Sequence, residues 1–209
     1  MAVRPAAALA LALALAAGAG CSPGPAPPPA PDVEARRAGW QAWKEARDGL
    51  MRSEESPIPP EARTAFQSLP YFEYDPSFLQ GLELSPIPVS DTTFLATTGG
   101  APRPYVSAGA ITFDAGGREN TLTVYRATGA DDRGQLFVPY TDATSGEETY
   151  GGGRYLDLQP TPRGAYVVDF NRSYHPYCVY DPSYVCPVPP ESNRLRIRVT
   201  AGERLPTGG

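Results

Sequence analysis

From residue 82 to residue 200 the chain runs in short stretches of alternating apolar and polar residues, each cut off by glycine, proline or other turn formers. A period of two places successive side chains on opposite faces of a strand, and interruptions this frequent leave little room for ordinary helices. Proline and glycine supply 25 and 21 of the 209 residues, which argues against a helical bundle. The predicted strands cover 82–87, 92–97, 103–107, 110–114, 120–127, 135–139, 154–158, 165–170 and 194–200, with turns such as Thr98-Gly99-Gly100 and Ala115-Gly116-Gly117 between them. Short strands at this spacing predict a mostly β, antiparallel domain, either a β-sandwich or a partly open β-barrel. The last strand has the clearest pattern: Leu195, Ile197 and Val199 alternate with Arg194, Arg196 and Arg198.

Ahead of the strands, Asp32 is a helix cap, and Val33, Trp40, Trp43, Leu50 and Met51 recur at helical spacing as far as Arg52. This N-terminal amphipathic helix is expected to pack on its own domain through its tryptophans. Ser56-Pro57-Ile58-Pro59-Pro60 ends it, and a short helix over 61–68 is expected to follow.

The first 20 residues read as a signal peptide: Arg4, an Ala/Leu run too short to span a bilayer comfortably, then small residues. Gly18-Ala19-Gly20-Cys21 resembles a lipobox, in which Cys21 is lipidated and becomes the mature N-terminus. The alternative is ordinary cleavage after Ala19, which leaves the protein secreted or periplasmic. Ser22 beside the cysteine places a lipoprotein in the outer membrane, facing the periplasm, of a cell with two membranes. Residues 21–31 form a tether with six prolines, extended over about 30 Å. Residues 32–205 are read as one domain and 206–209 as a tail. The net charge of −5 makes nucleic acid an improbable partner, and a lipid on Cys21 is the expected link to the membrane.

Two segments break the strand rhythm: 141–153, TDATSGEETYGGG, and 171–193, NRSYHPYCVYDPSYVCPVPPESN. They are separated by two strands, so an antiparallel meander puts them side by side at one end of the sheet. Asp142, Tyr150, Arg154, Asp169, Asn171, Tyr174 and Tyr177 are the candidate binding residues. Within this region Asp142-x-Thr144-Ser145-Gly146, Thr149-Tyr150, Gly153-Arg154-Tyr155, Asp169-Phe170-Asn171, Tyr174, Pro176, Cys178, Cys186-Pro187, Asn193-Arg194-Leu195 and Ala201-Gly202-Glu203 resemble the bacterial domain of unknown function 1684. The resemblance implies no assigned activity, and His175 departs from its pattern, which has asparagine before the proline.

Several chemistries compete for these loops. In an oxidising envelope Cys178 and Cys186 are expected to form a disulfide; the alternatives are a zinc site with His175 and Asp181, or a reactive thiol. The only histidine lacks a Gly-x-Ser-x-Gly partner, so serine catalysis is disfavoured. Asp142, Glu148 and Asp169 are the candidate catalytic residues for a carboxylate-dependent hydrolase acting on an envelope glycan. Against that stands a non-catalytic module whose tyrosines grip a glycan, a peptide or an envelope protein. No cofactor or metal site is expected.

Overall fold

The computed structural model describes Met1 and residues 31–87, 92–129, 135–161 and 164–206. The expected signal peptide apart from Met1, Cys21 with nearly all of the expected tether, and the last three residues of the expected tail lie outside the described residues.

Helix α1 (Val33–Arg52) begins where the Asp32 carboxylate accepts a hydrogen bond from the Ala35 amide at 3.1 Å. Trp40 and Met51 are buried on one side, whereas Val33, expected on the same stripe, is exposed. Trp40 packs on Tyr74 and Trp43 on Tyr71, with ring centroids 5.3 and 5.9 Å apart. The expected helix over 61–68 is the single turn α2 (Pro60–Arg63). Side chains of α1 hold the backbone beyond it: Asp48 accepts from the Leu69 amide at 2.9 Å and Arg52 donates to the Gln67 carbonyl at 2.7 Å.

Seven strands follow: β1 (Leu79–Leu82), β2 (Thr92–Leu95), β3 (Arg103–Ala115), β4 (Arg118–Ala127), β5 (Leu136–Tyr140), β6 (Arg154–Pro160) and β7 (Tyr166–Asp169). They make one antiparallel sheet in the order β1-β7-β6-β5-β4-β3-β2. The mostly β, antiparallel expectation holds at this level. Among the described residues the sheet is single, without the second stacked sheet of a sandwich, and it is not closed into a barrel. One isolated bridge, Ser85 to Ala110, ties the chain after β1 to β3.

Two expected strands, 103–107 and 110–114, are one strand with a bulge between Ser107 and Gly109. The extra residue reverses which positions face which side. Ile111 and Phe113 therefore enter the main core, while Tyr105 joins Leu95 and Tyr125 in a second cluster on the opposite face. Strands β5 and β6 show the same division in register. Val138 faces Leu156 and Leu136 faces Leu158 in or against the main core, whereas Phe137 stands opposite Asp157 on the other side.

The expected strand 194–200 is a correction. Its Leu195, Ile197 and Val199 are buried in the main core as the alternation required, yet the segment is extended chain outside the sheet. It is held by Thr141, which accepts from the Leu195 amide at 2.8 Å, by the Ala143 amide donating to Ile197, and by the side chains described below.

The bulge requires glycine. Gly109 has φ +151, and a Cβ there would lie 2.5 Å from Leu84 Cγ and 2.8 Å from the Ser85 carbonyl. Gly109→Ala is expected to destabilise the domain by about 2 kcal/mol or more, measured by denaturant unfolding with an unchanged m-value.

Candidate functional site

The two long loops do lie against each other, and several of their polar residues, among them Asp142, Thr144, Asn171, His175 and Asn193, are buried. Arg154, at the start of β6, is fully buried. One terminal nitrogen, Nη1, donates to the carbonyls of Ala201 at 2.5 Å and Glu203 at 3.2 Å. The other, Nη2, donates to the Val199 carbonyl at 2.8 Å and meets Asp142 Oδ1 at 3.4 Å. Asp142 in turn accepts from the Val199 amide at 2.7 Å and from Thr144 Oγ1 at 2.9 Å. A buried charge needs such a set of partners, and here the partners are the C-terminal backbone and one carboxylate.

The rest of the loop polar groups serve the same interior. Asn171 accepts from the Asp75 amide at 2.8 Å and donates to the Asp75 carbonyl at 2.9 Å, as a second strand would. Asn193 does likewise to Thr123, at 2.8 and 2.9 Å. Asp169 caps the single 3-10 turn Phe170–Arg172 by accepting from the Asn171 amide and side chain. Glu203, also buried, accepts from Arg47 and from the His175 amide, each at 2.7 Å, and from the Tyr180 hydroxyl at 3.2 Å. His175 Nε2 accepts from the Tyr150 amide at 3.2 Å. Burial, with Arg154 and Arg47 nearby, depresses its pKa to about 3, so the imidazole is neutral.

The three candidate acids do not come together as a catalytic group. Asp142 is locked to Arg154, Asp169 caps its turn, and Glu148 forms a surface ion pair with Arg198. The expected disulfide is also corrected: Cys178 and Cys186 are free thiols. They are neighbours, the Cys178 amide donating to Cys186 Sγ at 3.2 Å. Burial pushes the Cys186 thiol up to about 12, which keeps it protonated at neutral pH. Among the described residues no three His, Cys, Asp or Glu side chains gather as a metal group.

A concave site lies on the face of the sheet opposite the main core. A cleft of about 810 Å³ has as its floor Tyr105, Phe137, Tyr155 and Asp157. Trp43 and Arg47 of α1 form one wall, and Tyr174, Tyr177, Tyr184, Val185 and Cys186 of the second loop form another. Of the sequence candidates, Tyr174 and Tyr177 are in it; Asp142, Tyr150, Arg154, Asp169 and Asn171 are not. The helix is set beside β6 by Arg36, which donates to Gln159 at 3.4 Å, and by the Arg47–Glu203 pair. The loop wall is fastened by the Tyr155 hydroxyl donating to the Pro187 carbonyl at 2.5 Å and by the Cys186 amide donating to Thr98 Oγ1 at 3.0 Å. Tyr177 and Tyr184 pack edge to face, 5.4 Å apart, and Tyr184 and Val185 are exposed.

Among the described residues Asp157 is the only acid lining this cleft. Tyr174 donates to its Oδ2 at 3.1 Å. Burial raises its pKa, with the Tyr174 hydrogen bond and Arg47 opposing the shift. A signal for it existed in the sequence: in Leu136-Phe137-Val138 and Tyr155-Leu156-Asp157-Leu158, both phases of the strand carry large side chains, so neither face is simply wet.

Two tests follow from these arrangements. Arg154→Met should destabilise the domain by about 3–5 kcal/mol because it leaves the Asp142 carboxylate buried without its cation, and Arg154→Lys should recover little of the loss because a single ammonium cannot reproduce the fork. Asp157 works in the opposite sense. A carboxyl with a raised folded pKa stabilises fully below its unfolded pKa, about 3.9, and loses that contribution as pH rises through the folded value. Calorimetry should therefore show Asp157→Asn with a higher Tm than the parent at pH 7 and an equal Tm at about pH 3.

The family model described as "Protein of unknown function (DUF1684)" matches residues 64–204. The solution NMR structure of an uncharacterized protein of Haloarcula marismortui is similar to this chain, with 34% identity and a TM-score of 0.66. The match covers 83% of this chain and 96% of that one. No curated protein matches.

Proposed function

The chain belongs to the DUF1684 family, and from the cleft it builds we propose that it is a binding module for a small organic ligand. We further propose that it works in the cell envelope, tethered by a lipid on Cys21 and set off from the membrane by the proline-rich segment 21–31. The observation that carries the binding reading is the aromatic cleft itself. Its volume of about 810 Å³ lies within the range of small-molecule sites, and its lining is rings with a few polar groups, Asp157, Arg47, Arg103 and Gln135. Tyrosine and tryptophan offer broad apolar area with little rotamer freedom to lose, so a prebuilt wall of them binds ring-shaped or alkylated groups.

The chemistry of the lining favours binding over turnover. Glycoside hydrolysis requires two carboxyl groups flanking the bond, and among the described residues this cleft has one. The imidazole of His175 is occupied beneath the loops, and the Cys186 thiol is held protonated. The hydrolase reading thus loses the acids it relied on.

Amide NMR of the folded domain with a library of sugars, amines and heterocycles tests the reading. Saturable shifts confined to residues 103–105, 135–137, 155–157 and 174–187 are expected. Tyr184→Ala, which removes an exposed ring from the wall, should weaken the best binder by about 5- to 10-fold with little change in Tm. Shifts scattered over the surface, or centred on 141–153, would contradict it.

A further inference from the structure

Asp157 is an unusual residue to find on the floor of an aromatic cleft. It is half-buried, stands opposite Phe137 in register, and is adjacent to Tyr155. Its Oδ1 takes no hydrogen bond and its carboxylate makes no ion pair among the described residues; the Tyr174 hydroxyl on Oδ2 is its one hydrogen bond there. The nearby cation does not neutralise it. Arg47 is committed to Glu203, whose Oε1 lies 2.7 Å from both Nε and Nη2 of the guanidinium. Arg103, the other cation of the lining among the described residues, is exposed at the beginning of β3.

A carboxylate in such surroundings is stabilised most by a cation that enters with the ligand, because a neutral hydroxyl leaves the charge uncompensated. The rings beside it select the type of cation. Tryptophan and tyrosine faces attract alkylated ammonium groups through their quadrupoles and cover the methyl groups at the same time. Inorganic cations are poorly served, since hard divalent ions require several oxygen ligands.

Resting on the reading of this cleft as a ligand site, we propose that its ligand is an organic cation: a quaternary or otherwise alkylated ammonium paired with Asp157 and enclosed by Trp43, Tyr105, Phe137, Tyr155 and Tyr174. In this arrangement Asp157 determines specificity, and the stability lost to its burial in the free protein is regained on binding. Arg47 acts as a positioning residue: it anchors α1 to Glu203 and lies over the Tyr174 ring at 4.9 Å, which holds the hydroxyl that orients Asp157.

The test is calorimetric titration of the folded protein with choline and with its neutral isostere 3,3-dimethyl-1-butanol. Choline should bind at least about tenfold more tightly. Asp157→Asn should abolish that preference by weakening choline alone, so that the two probes become equivalent. Equal binding of the two probes to the parent protein overturns the proposal, as does a preference that survives Asp157→Asn. Binding of neither probe also overturns it, and the NMR library then separates the two readings. Uncharged compounds shifting the cleft residues would leave the cleft a ligand site of another class, and an unresponsive cleft would remove both readings together.

Discussion

The guanidinium of Arg154 does the work that an eighth strand would otherwise do. The segment after Asn193 carries four core residues, Leu195, Ile197, Val199 and Ala201, but it lies outside the sheet. Arg154 supplies donors to three of its carbonyls, and Asp142 accepts from one of its amides. Removing either partner would leave a charge in the interior without compensation, which is among the most destabilising changes a fold can undergo. Asn171 and Asn193 extend the same device, each substituting a side-chain amide for a strand's backbone.

This interior polar frame decides which parts of the loops remain available for chemistry. Asp142, Thr144 and Thr149 of loop 141–153 and Asn171 and Asn193 at the ends of loop 171–193 are consumed in closing the core, so these groups are satisfied and buried, while Glu147 and Glu148 stay at the surface with Arg198. What remains is the middle of the second loop, with its tyrosines, held over the opposite face of the sheet. There the bulge at Gly109 and the two-sided strands β5 and β6 put aromatic rings where a simple antiparallel sheet would be wet. Helix α1 completes the enclosure by pinning Trp43 and Arg47 beside Asp157. The free-energy balance differs between the two faces: the core side gains from every buried charge being paired, while the cleft side retains a carboxylate that folding alone does not satisfy.

In the C-terminal segment the periodicity of the sequence reported burial faithfully and hydrogen bonding poorly. Leu195, Ile197 and Val199 alternate inward as read, yet alternation says nothing of whether the backbone meets a strand or an arginine. The adjacency of the two loops followed from strand count. The direction of Asp142, Arg154, Asp169 and Asn171 did not, because a polar residue in a glycine-rich loop has the same one-letter code whether it faces a ligand or closes a core. Cys178 and Cys186 were rightly read as neighbours, but spacing does not specify bond formation, and the thiols are free. The cleft was hidden for a related reason: Tyr105, Phe137, Tyr155 and Asp157 come from three strands, and their meeting depends on register and on one bulge.

Native-state hydrogen exchange at the Val199 amide probes the frame most directly. This amide donates to a side chain, Asp142 Oδ2 at 2.7 Å, in a segment outside the sheet. If Arg154 and Asp142 make the C-terminal segment part of the cooperative core, Val199 exchanges only through global unfolding, with the same opening free energy as Val138 and Leu156 in β5 and β6. Exchange orders of magnitude faster than those strands would show that the segment opens on its own, and the buried ion pair would then not be what holds the domain together.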